Sequence, residues 1–270
     1  MWVRPDPFSE RLSMYKIHRY GWTPDKLDHR DLQLFIPSVT RVPLPSSCDL
    51  RPSGNVPPVY DQGNLGSCTA NAIAAAVDFE RKLQGEAFLT PSRLFVYYNE
   101  RVIEDSVAED AGAEIRDGIK SVVSQGVCPE SFWPYIDDGV HFAIKPTSTC
   151  YAAALKSRAL LYSRVSQDPY YIRHCISILK RPVVFGFSVF DAFESDAVAK
   201  TGVVPMPSST DKPIGGHAVQ AVGYDDSRDA ALCRNSWGAG WGLSGYFWLP
   251  FSYLLDPGLS DDLWVIQSES

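Results

Sequence analysis

The sequence lacks the features that would place it with membrane, exported or nucleic-acid-binding proteins. No apolar run approaches the ~20 residues of a membrane-spanning helix. Acidic residues outnumber basic ones, 32 to 25, which gives a formal net charge of −7, whereas nucleic-acid binders are usually basic. The opening residues, MWVRPDPFSERLSMYKIHRYGW, hold no apolar core of the signal-peptide kind. We therefore expect a monomer without membrane or nucleic-acid partners. It would be cytoplasmic, or exported by a route that the sequence does not reveal.

Cysteine and histidine are too sparse and scattered to suggest a metal centre. The sequence has no C-x-x-C pair, and its five histidines show no clustered ligand spacing, so we expect no metal and no cofactor. A chain of 270 residues can fold without disulfides, and mostly buried, reduced thiols are the simplest expectation. Any pairing remains open among the cysteines other than Cys68, which are Cys48, Cys128, Cys150, Cys175 and Cys233.

Hydrophobic periodicity separates an irregular arm, a helical region and a strand-rich region. Residues 1–42 mix proline, charge and aromatics without a period, which predicts an arm or short pro-segment before a domain over 43–270. Apolar residues at helical spacing predict helices over 68–83, 92–103 and 113–124. Short β-prone stretches follow at 183–189, 218–224, 231–235, 246–249 and 263–267. This order predicts an α+β protein with a helical lobe packed on a sheet lobe and a cleft between them.

Three short motifs have the composition of a catalytic site. In QGNLGSC, residues 62–68, a glycine-bearing loop places Cys68 in the first turn of a predicted helix, where free N–H groups and the helix dipole stabilise a thiolate. In GGHAV, residues 215–219, His217 stands at the head of a predicted strand. In NSWGAGWG, residues 235–242, Asn235 can orient an imidazole while Trp237 shields that bond from water.

A cysteine, a histidine and an asparagine in separate segments can act as nucleophile, base and orienting group. Each has an ordinary explanation when it is taken alone: a small buried apolar residue, a core histidine and a turn residue. The NSWGAGWG loop is harder to explain by structure alone, because three glycines in so short a loop are entropically costly. The combination therefore favours catalysis.

These motifs, in this order, resemble those of papain-like cysteine peptidases. The likeness covers roughly residues 44–268, the separation of Cys68 from His217 fits the family, and GVCPESFWPY at 126–135 resembles its bacterial members. The resemblance implies a papain-like α+β fold, with a helical N-terminal lobe, an antiparallel β-sheet or barrel C-terminal lobe and the active-site cleft between them. It also implies an endopeptidase that cleaves peptide or protein substrates through an acyl-enzyme intermediate.

Carried over residue by residue, the resemblance assigns four catalytic positions. Cys68 would be the nucleophile and His217 the general base and acid, largely as a thiolate–imidazolium pair. Asn235 would orient His217, and Gln62 would stabilise the oxyanion. The sequence departs from the family at Leu65 and Thr69, which replace a usual disulfide cysteine and a usual aromatic, but no catalytic position is lost.

The resemblance also suggests substrate-binding positions. Gly112 and Ala113 stand where the family pairs with the substrate backbone. On that register a roomy apolar pocket would favour Leu, Phe or Val at the second substrate residue before the scissile bond. The residues assigned to substrate binding are Gly112, Ala113, Ile115, Gly186, Gly216, Ala218 and Trp237. Ile115 is equally well explained as a core residue of its helix.

The role of the arm and two rival functions remain open from the sequence. Tyr20-Gly21-Trp22 and Leu34-Phe35-Ile36 need a surface to cover, so the arm either lies on or near the cleft and restrains activity, or packs on the back of the domain. A non-catalytic binding protein of the same fold is disfavoured because all four catalytic positions are present. A transglutaminase-like or amidase-type acyl transferase is disfavoured because such enzymes lack the NSWGAGWG loop.

Overall fold

The computed structural model describes residues 20–156 and 160–268, so the predicted arm before Tyr20 lies outside the described residues. The described chain contains seven helices: α1 Cys68–Leu83, α2 Arg93–Ile103, α3 Ile115–Gln125, α4 Ser148–Ala154, α5 Pro169–Ser177, α6 Asp196–Thr201 and α7 Phe251–Leu254. It contains seven strands: β1 Ser47–Asp49, β2 Leu160–Arg164, β3 Val183–Phe190, β4 Pro213–Asp225, β5 Ala230–Arg234, β6 Tyr246–Pro250 and β7 Ser260–Ser268.

The strands form one antiparallel sheet in the order β2-β7-β3-β4-β5-β6, with β1 paired to β4. The long strand β4 lies near its centre and places His217 opposite Phe187 of β3. Phe187 is fully buried, and its ring packs against those of Phe193, Phe247 and Tyr253. The aromatic core of the sheet lobe therefore extends directly to His217, whose ring lies 5.7 Å from that of Phe187.

Helix α1 joins the two lobes. It packs against α2 and α3 on one side and against β4 and β7 on the other, and it is buried from Cys68 to Glu80. Alanines make up much of this stretch, so the backbone of the helix can approach the sheet closely. The buried amide of Gln220 on β4 donates to the Ala72 carbonyl of α1 over 2.7 Å.

The structure confirms the α+β, two-lobed prediction and most of the long elements. Helix α1 has the predicted bounds, and α2 begins one residue later because Ser92 caps it by accepting the Phe95 N–H. Helix α3 begins at Ile115 rather than at 113, because the Ala113 N–H and carbonyl both bond to the arm. The prediction missed β1, β2 and the four short helices, and the domain boundary at 42/43 stays a prediction. Among the described residues, no helix is long and apolar enough to cross a membrane.

Candidate active site

Cys68 lies at the first turn of α1, fully buried beneath other parts of the chain. The backbone N–H groups of Ala218, of Gly21 in the arm and of Thr69 lie near its sulfur and act to lower its pKa. Ala218 directly follows His217, so this contact brings the start of α1 against the part of β4 that carries the histidine. The structure thus joins the first two predicted catalytic segments.

His217 and Asn235 form a hydrogen bond that is shielded from solvent. His217 Nε2 and Asn235 Oδ1 are 2.8 Å apart, and both residues are at most 1% exposed. The Trp237 ring lies 5.2 Å from the imidazole and covers this bond. Among the described residues, His217 Nδ1 has no hydrogen-bond partner. The arrangement fixes the imidazole and leaves its second nitrogen available.

Gln62 ties the loop before α1 to the loop that carries Asn235. Its side-chain oxygen accepts from Ser236 Oγ at 2.7 Å, and its backbone N–H donates to the Ser236 carbonyl at 2.8 Å. Its amide nitrogen donates one hydrogen to the Leu65 carbonyl at 2.9 Å. An amide nitrogen carries two hydrogens. Gln62 therefore retains one amide hydrogen for another acceptor.

The arm crosses the cleft at Gly21 and Trp22 and bonds to both lobes through its backbone. On the helical side, Ala113 N–H donates to the Gly21 carbonyl at 2.7 Å, and Thr23 N–H donates to the Ala113 carbonyl at 3.1 Å. On the sheet side, Trp22 N–H donates to the Gly216 carbonyl at 2.9 Å. The arm thus occupies the backbone-binding groups that the sequence assigned to substrate.

Only glycine fits at position 21. A Cβ there would lie 1.6 Å from the Gly66 carbonyl oxygen, a backbone atom that cannot rotate away as a side chain could. Gly112 has φ of +80°, and a Cβ on it would meet the Gly21 carbonyl oxygen at 2.1 Å. Glycines at positions 21 and 112 therefore allow the arm to lie directly against the loop that precedes Cys68.

The side chains of Tyr20 and Trp22 fill the cleft on either side of Gly21. The Tyr20 ring lies 6.1 Å from that of His217 and 6.3 Å from that of Trp237, and its hydroxyl bonds to Glu194. The Trp22 indole is 8% exposed and lies against Gly186, where a Cβ would approach it to 2.0 Å. Its N–H donates to Asp262 Oδ2 at 3.1 Å.

A buried polar cluster anchors the next part of the arm. Asp25 has a fully buried side chain that accepts from Arg164 at 2.8 Å and from the Trp264 indole at 2.9 Å. Its backbone N–H donates to Asp262, which Arg164 also contacts at 3.1 Å. Burial and the neighbouring Asp262 raise the pKa of Asp25. Further on, residues 32–34 pair with Arg164 at the end of β2.

With the arm in place, the candidate nucleophile and base are neutral. Burial raises the pKa of Cys68 to about 12, although the backbone N–H groups on its sulfur oppose this shift. Burial lowers the pKa of His217 to about 4, although its bond to Asn235 opposes this shift. At neutral pH, the Cys68 thiol and the His217 imidazole are therefore both uncharged. The thiolate–imidazolium pair expected from the sequence is not the favoured state beneath the arm.

The predicted substrate-binding residues differ in how closely they contact the arm. Gly112, Ala113, Gly186 and Gly216 touch it directly, as described above, and Trp237 lies beneath the Tyr20 ring. Ala218 and Ile115 are buried in the same apolar cluster as Trp22.

Sequence reasoning missed Asp262, Arg164 and Glu194 as contacts of the arm. A pair of aspartates opening the apolar strand β7 is the signal that could have drawn attention to Asp262. In the part of the chain that the structure describes, no group of three potential metal ligands occurs.

Comparisons with known proteins agree with this geometry. The model of the papain family cysteine proteases matches residues 44–252. An uncharacterised peptidase C1-like protein of Acanthamoeba polyphaga mimivirus is 47% identical over 216 residues, which cover 77% of this chain and 68% of that protein. Mouse pro-cathepsin H is 28% identical over 221 residues, and the alignment spans 60% of its length and 76% of this chain.

A solved structure provides a closely similar fold. Xylellain, a cysteine protease from Xylella fastidiosa, is 42% identical and superposes with a TM-score of 0.87 over 93% of this chain and 96% of its own. The match to the family model covers most of the chain, and the motifs at Cys68, His217 and Asn235 lie within the matched range. The chain therefore belongs to the papain family of cysteine proteases.

Proposed function

We propose that the chain is a cysteine endopeptidase in which Cys68 is the nucleophile, His217 the general base and acid, and Asn235 the residue that orients His217. The observation that carries this proposal is the shielded bond between His217 Nε2 and Asn235 Oδ1. It leaves Nδ1 as the nitrogen that can exchange a proton with Cys68, near whose sulfur the backbone N–H of Ala218, the residue after His217, lies.

Peptide cleavage then follows the usual course for a thiol nucleophile. The Cys68 thiolate attacks the scissile carbonyl, and the negative oxygen of the tetrahedral intermediate accepts from the second Gln62 amide hydrogen and the Cys68 backbone N–H. His217 protonates the leaving amine, which breaks the peptide bond and leaves an acyl-enzyme. His217 then takes a proton from water, and the resulting hydroxide releases the acyl group.

The proposal includes a restraining role for the arm, as in a zymogen. Two observations support it: the arm occupies backbone groups on both lobes, and Cys68 and His217 are fully buried with the arm in place. Burial raises the pKa of Cys68 and lowers that of His217, which disfavours the charged pair. Removal of the arm exposes both groups to water, so their pKa values move back towards each other. The charged pair then becomes accessible, and so does the cleft.

The pocket that holds Trp22 is our candidate site for the second substrate residue before the scissile bond. Gly186 and Gly216 lie against this side chain, and Ala218 and Ile115 belong to the same apolar cluster. Asp262 stands at the indole nitrogen. A pocket with these walls suits a large apolar side chain, and its carboxylate can accept an N–H from the tip of a tryptophan.

Cys68→Ala should abolish peptide hydrolysis, because the variant has no nucleophile to form the acyl-enzyme. The rate is measured with a fluorogenic peptide after the arm has been removed by limited proteolysis. Cys175→Ser is the matched control, since it alters another fully buried thiol, which lies in helix α5. Unchanged hydrolysis by Cys68→Ala would contradict the proposed mechanism.

Gln62→Ala should lower turnover by roughly 10²–10³, the usual cost of losing one oxyanion donor. The loss should fall on kcat rather than on KM, because the bond forms only in the transition state. Steady-state kinetics on one peptide substrate measure both. Since Gln62 also supports its loop, circular dichroism and thermal melting must first show a folded variant. A folded variant with undiminished kcat would exclude Gln62 as the donor.

Trp22→Ala should weaken the hold of the arm on the cleft. Loss of a buried indole typically costs about 3–5 kcal/mol, which corresponds to a shift of about a hundredfold or more towards the open cleft. We expect faster alkylation of Cys68 by iodoacetamide at neutral pH and faster peptide hydrolysis in the uncut chain. Leu27→Ala is the matched control, because Leu27 lies on the same arm but is 85% exposed. Equal rates in the two variants would disprove the restraint.

A peptide panel varied at the second residue before the cut should favour large apolar side chains, including Leu, Phe and Trp. Gly186→Val should lower kcat/KM for those peptides at least roughly tenfold while sparing an alanine peptide, because the added side chain fills the pocket. A panel whose best substrate carries Asp or Lys at this position would contradict the apolar pocket.

A further inference from the structure

Two buried thiols outside the active site lie in one small cluster. Cys128 follows α3, and Cys150 lies within α4. Both are fully buried in one small cluster with Phe95 and Ala154, and the neighbouring Cys150 thiol contributes, after burial, to raising the pKa of Cys128. A disulfide requires Cα atoms within about 7 Å of each other, which two cysteines of one small cluster can satisfy.

The surroundings hold the Cys150 sulfur in place. Thr147 Oγ1, at the cap of α4, lies 3.2 Å from it, and the Phe132 carbonyl lies 3.6 Å away. The Cys128 carbonyl in turn accepts the Ser92 N–H over 2.8 Å. Both cysteines therefore lie in segments that are held by hydrogen bonds.

The segment that begins at Cys128 supports the catalytic loop. Tyr135 donates its hydroxyl to the Gln62 carbonyl at 2.8 Å and bonds to Ser67 Oγ at 2.6 Å, immediately before Cys68. Arg93 stacks on the Tyr135 ring at 3.9 Å and pairs with Glu130 at 2.9 Å. A constraint at Cys128 thus fixes one end of the support on which Gln62 and Cys68 rest.

We propose that Cys128 and Cys150 are a reversible modification site, at which oxidation by a small hydroperoxide forms a disulfide that fastens this support to α4. In the first step, one thiolate attacks hydrogen peroxide, which yields a sulfenic acid and hydroxide. In the second, the other thiol attacks the sulfenic sulfur and displaces water. Overall, two thiols lose two electrons and two protons, and the peroxide becomes two waters.

Oxidation should be slow and should accelerate with rising pH. Burial raises the pKa of Cys128 to about 12, so little of its thiolate exists at neutral pH. Cross-linking also constrains the unfolded chain, so the oxidised form should melt roughly 6–12 °C higher than the reduced form. A thiol reductant should reverse both changes.

The test uses the full chain with Cys68→Ala, which removes the competing thiol and prevents self-cleavage. The protein is treated with hydrogen peroxide at neutral and mildly alkaline pH and then digested without reductant. Mass spectrometry should find a peptide that joins Cys128 to Cys150, and the melting temperature should rise. Tris(carboxyethyl)phosphine should remove both signals.

The control variants separate this pair from the other thiols. Cys128→Ser and Cys150→Ser should each lose the joined peptide and the rise in melting temperature, whereas Cys233→Ser should keep both. The joined peptide in the Cys68→Ala chain remains decisive even if a serine variant fails to fold. Persistent free thiols, sulfinic or sulfonic acid at either position, or a joined peptide containing Cys48 or Cys175 instead would overturn the proposal.

Discussion

The close contact between helix α1 and strand β4 is the constraint on which the site depends. The helix supplies Cys68 at its first turn and the strand supplies His217, so their separation is set by how closely helix and sheet approach. The buried alanines of α1 have short side chains, so the helix backbone can lie close to β4. The buried amide of Gln220 on β4 bonds to the Ala72 carbonyl within this contact. Larger side chains in this interface would move the two segments apart before they affected either lobe alone.

In the proposed restraint, the arm acts on this site in two physically different ways. Its backbone takes the hydrogen-bonding groups of Ala113 and Gly216, which is steric competition. Its cover also removes water from Cys68 and His217, so the uncharged forms of both are favoured. On this proposal, burial beneath the arm governs the charge of Cys68 and His217 as well as access to the cleft.

Much of the fold and the core of the site could be predicted because their signals are local. The bounds of α1 follow from a helical period, and Cys68, His217 and Asn235 each stand in a short motif of unusual composition. The role of Asp262 could not be predicted, because it depends on Trp22, Asp25 and Arg164 meeting from distant parts of the chain. The start of α3 was misplaced for the same kind of reason, since Ala113 gives its backbone groups to the arm.

The arm is part of the same chain as the domain it covers. The connection is short, because β1 begins soon after Ile36. Covalent continuity keeps a segment attached by a short flexible connection at an effective concentration of about millimolar, whatever the concentration of the protein itself. A single break in the connection abolishes that advantage. The arm then becomes an ordinary ligand, and simple dilution determines how much of the cleft it still occupies.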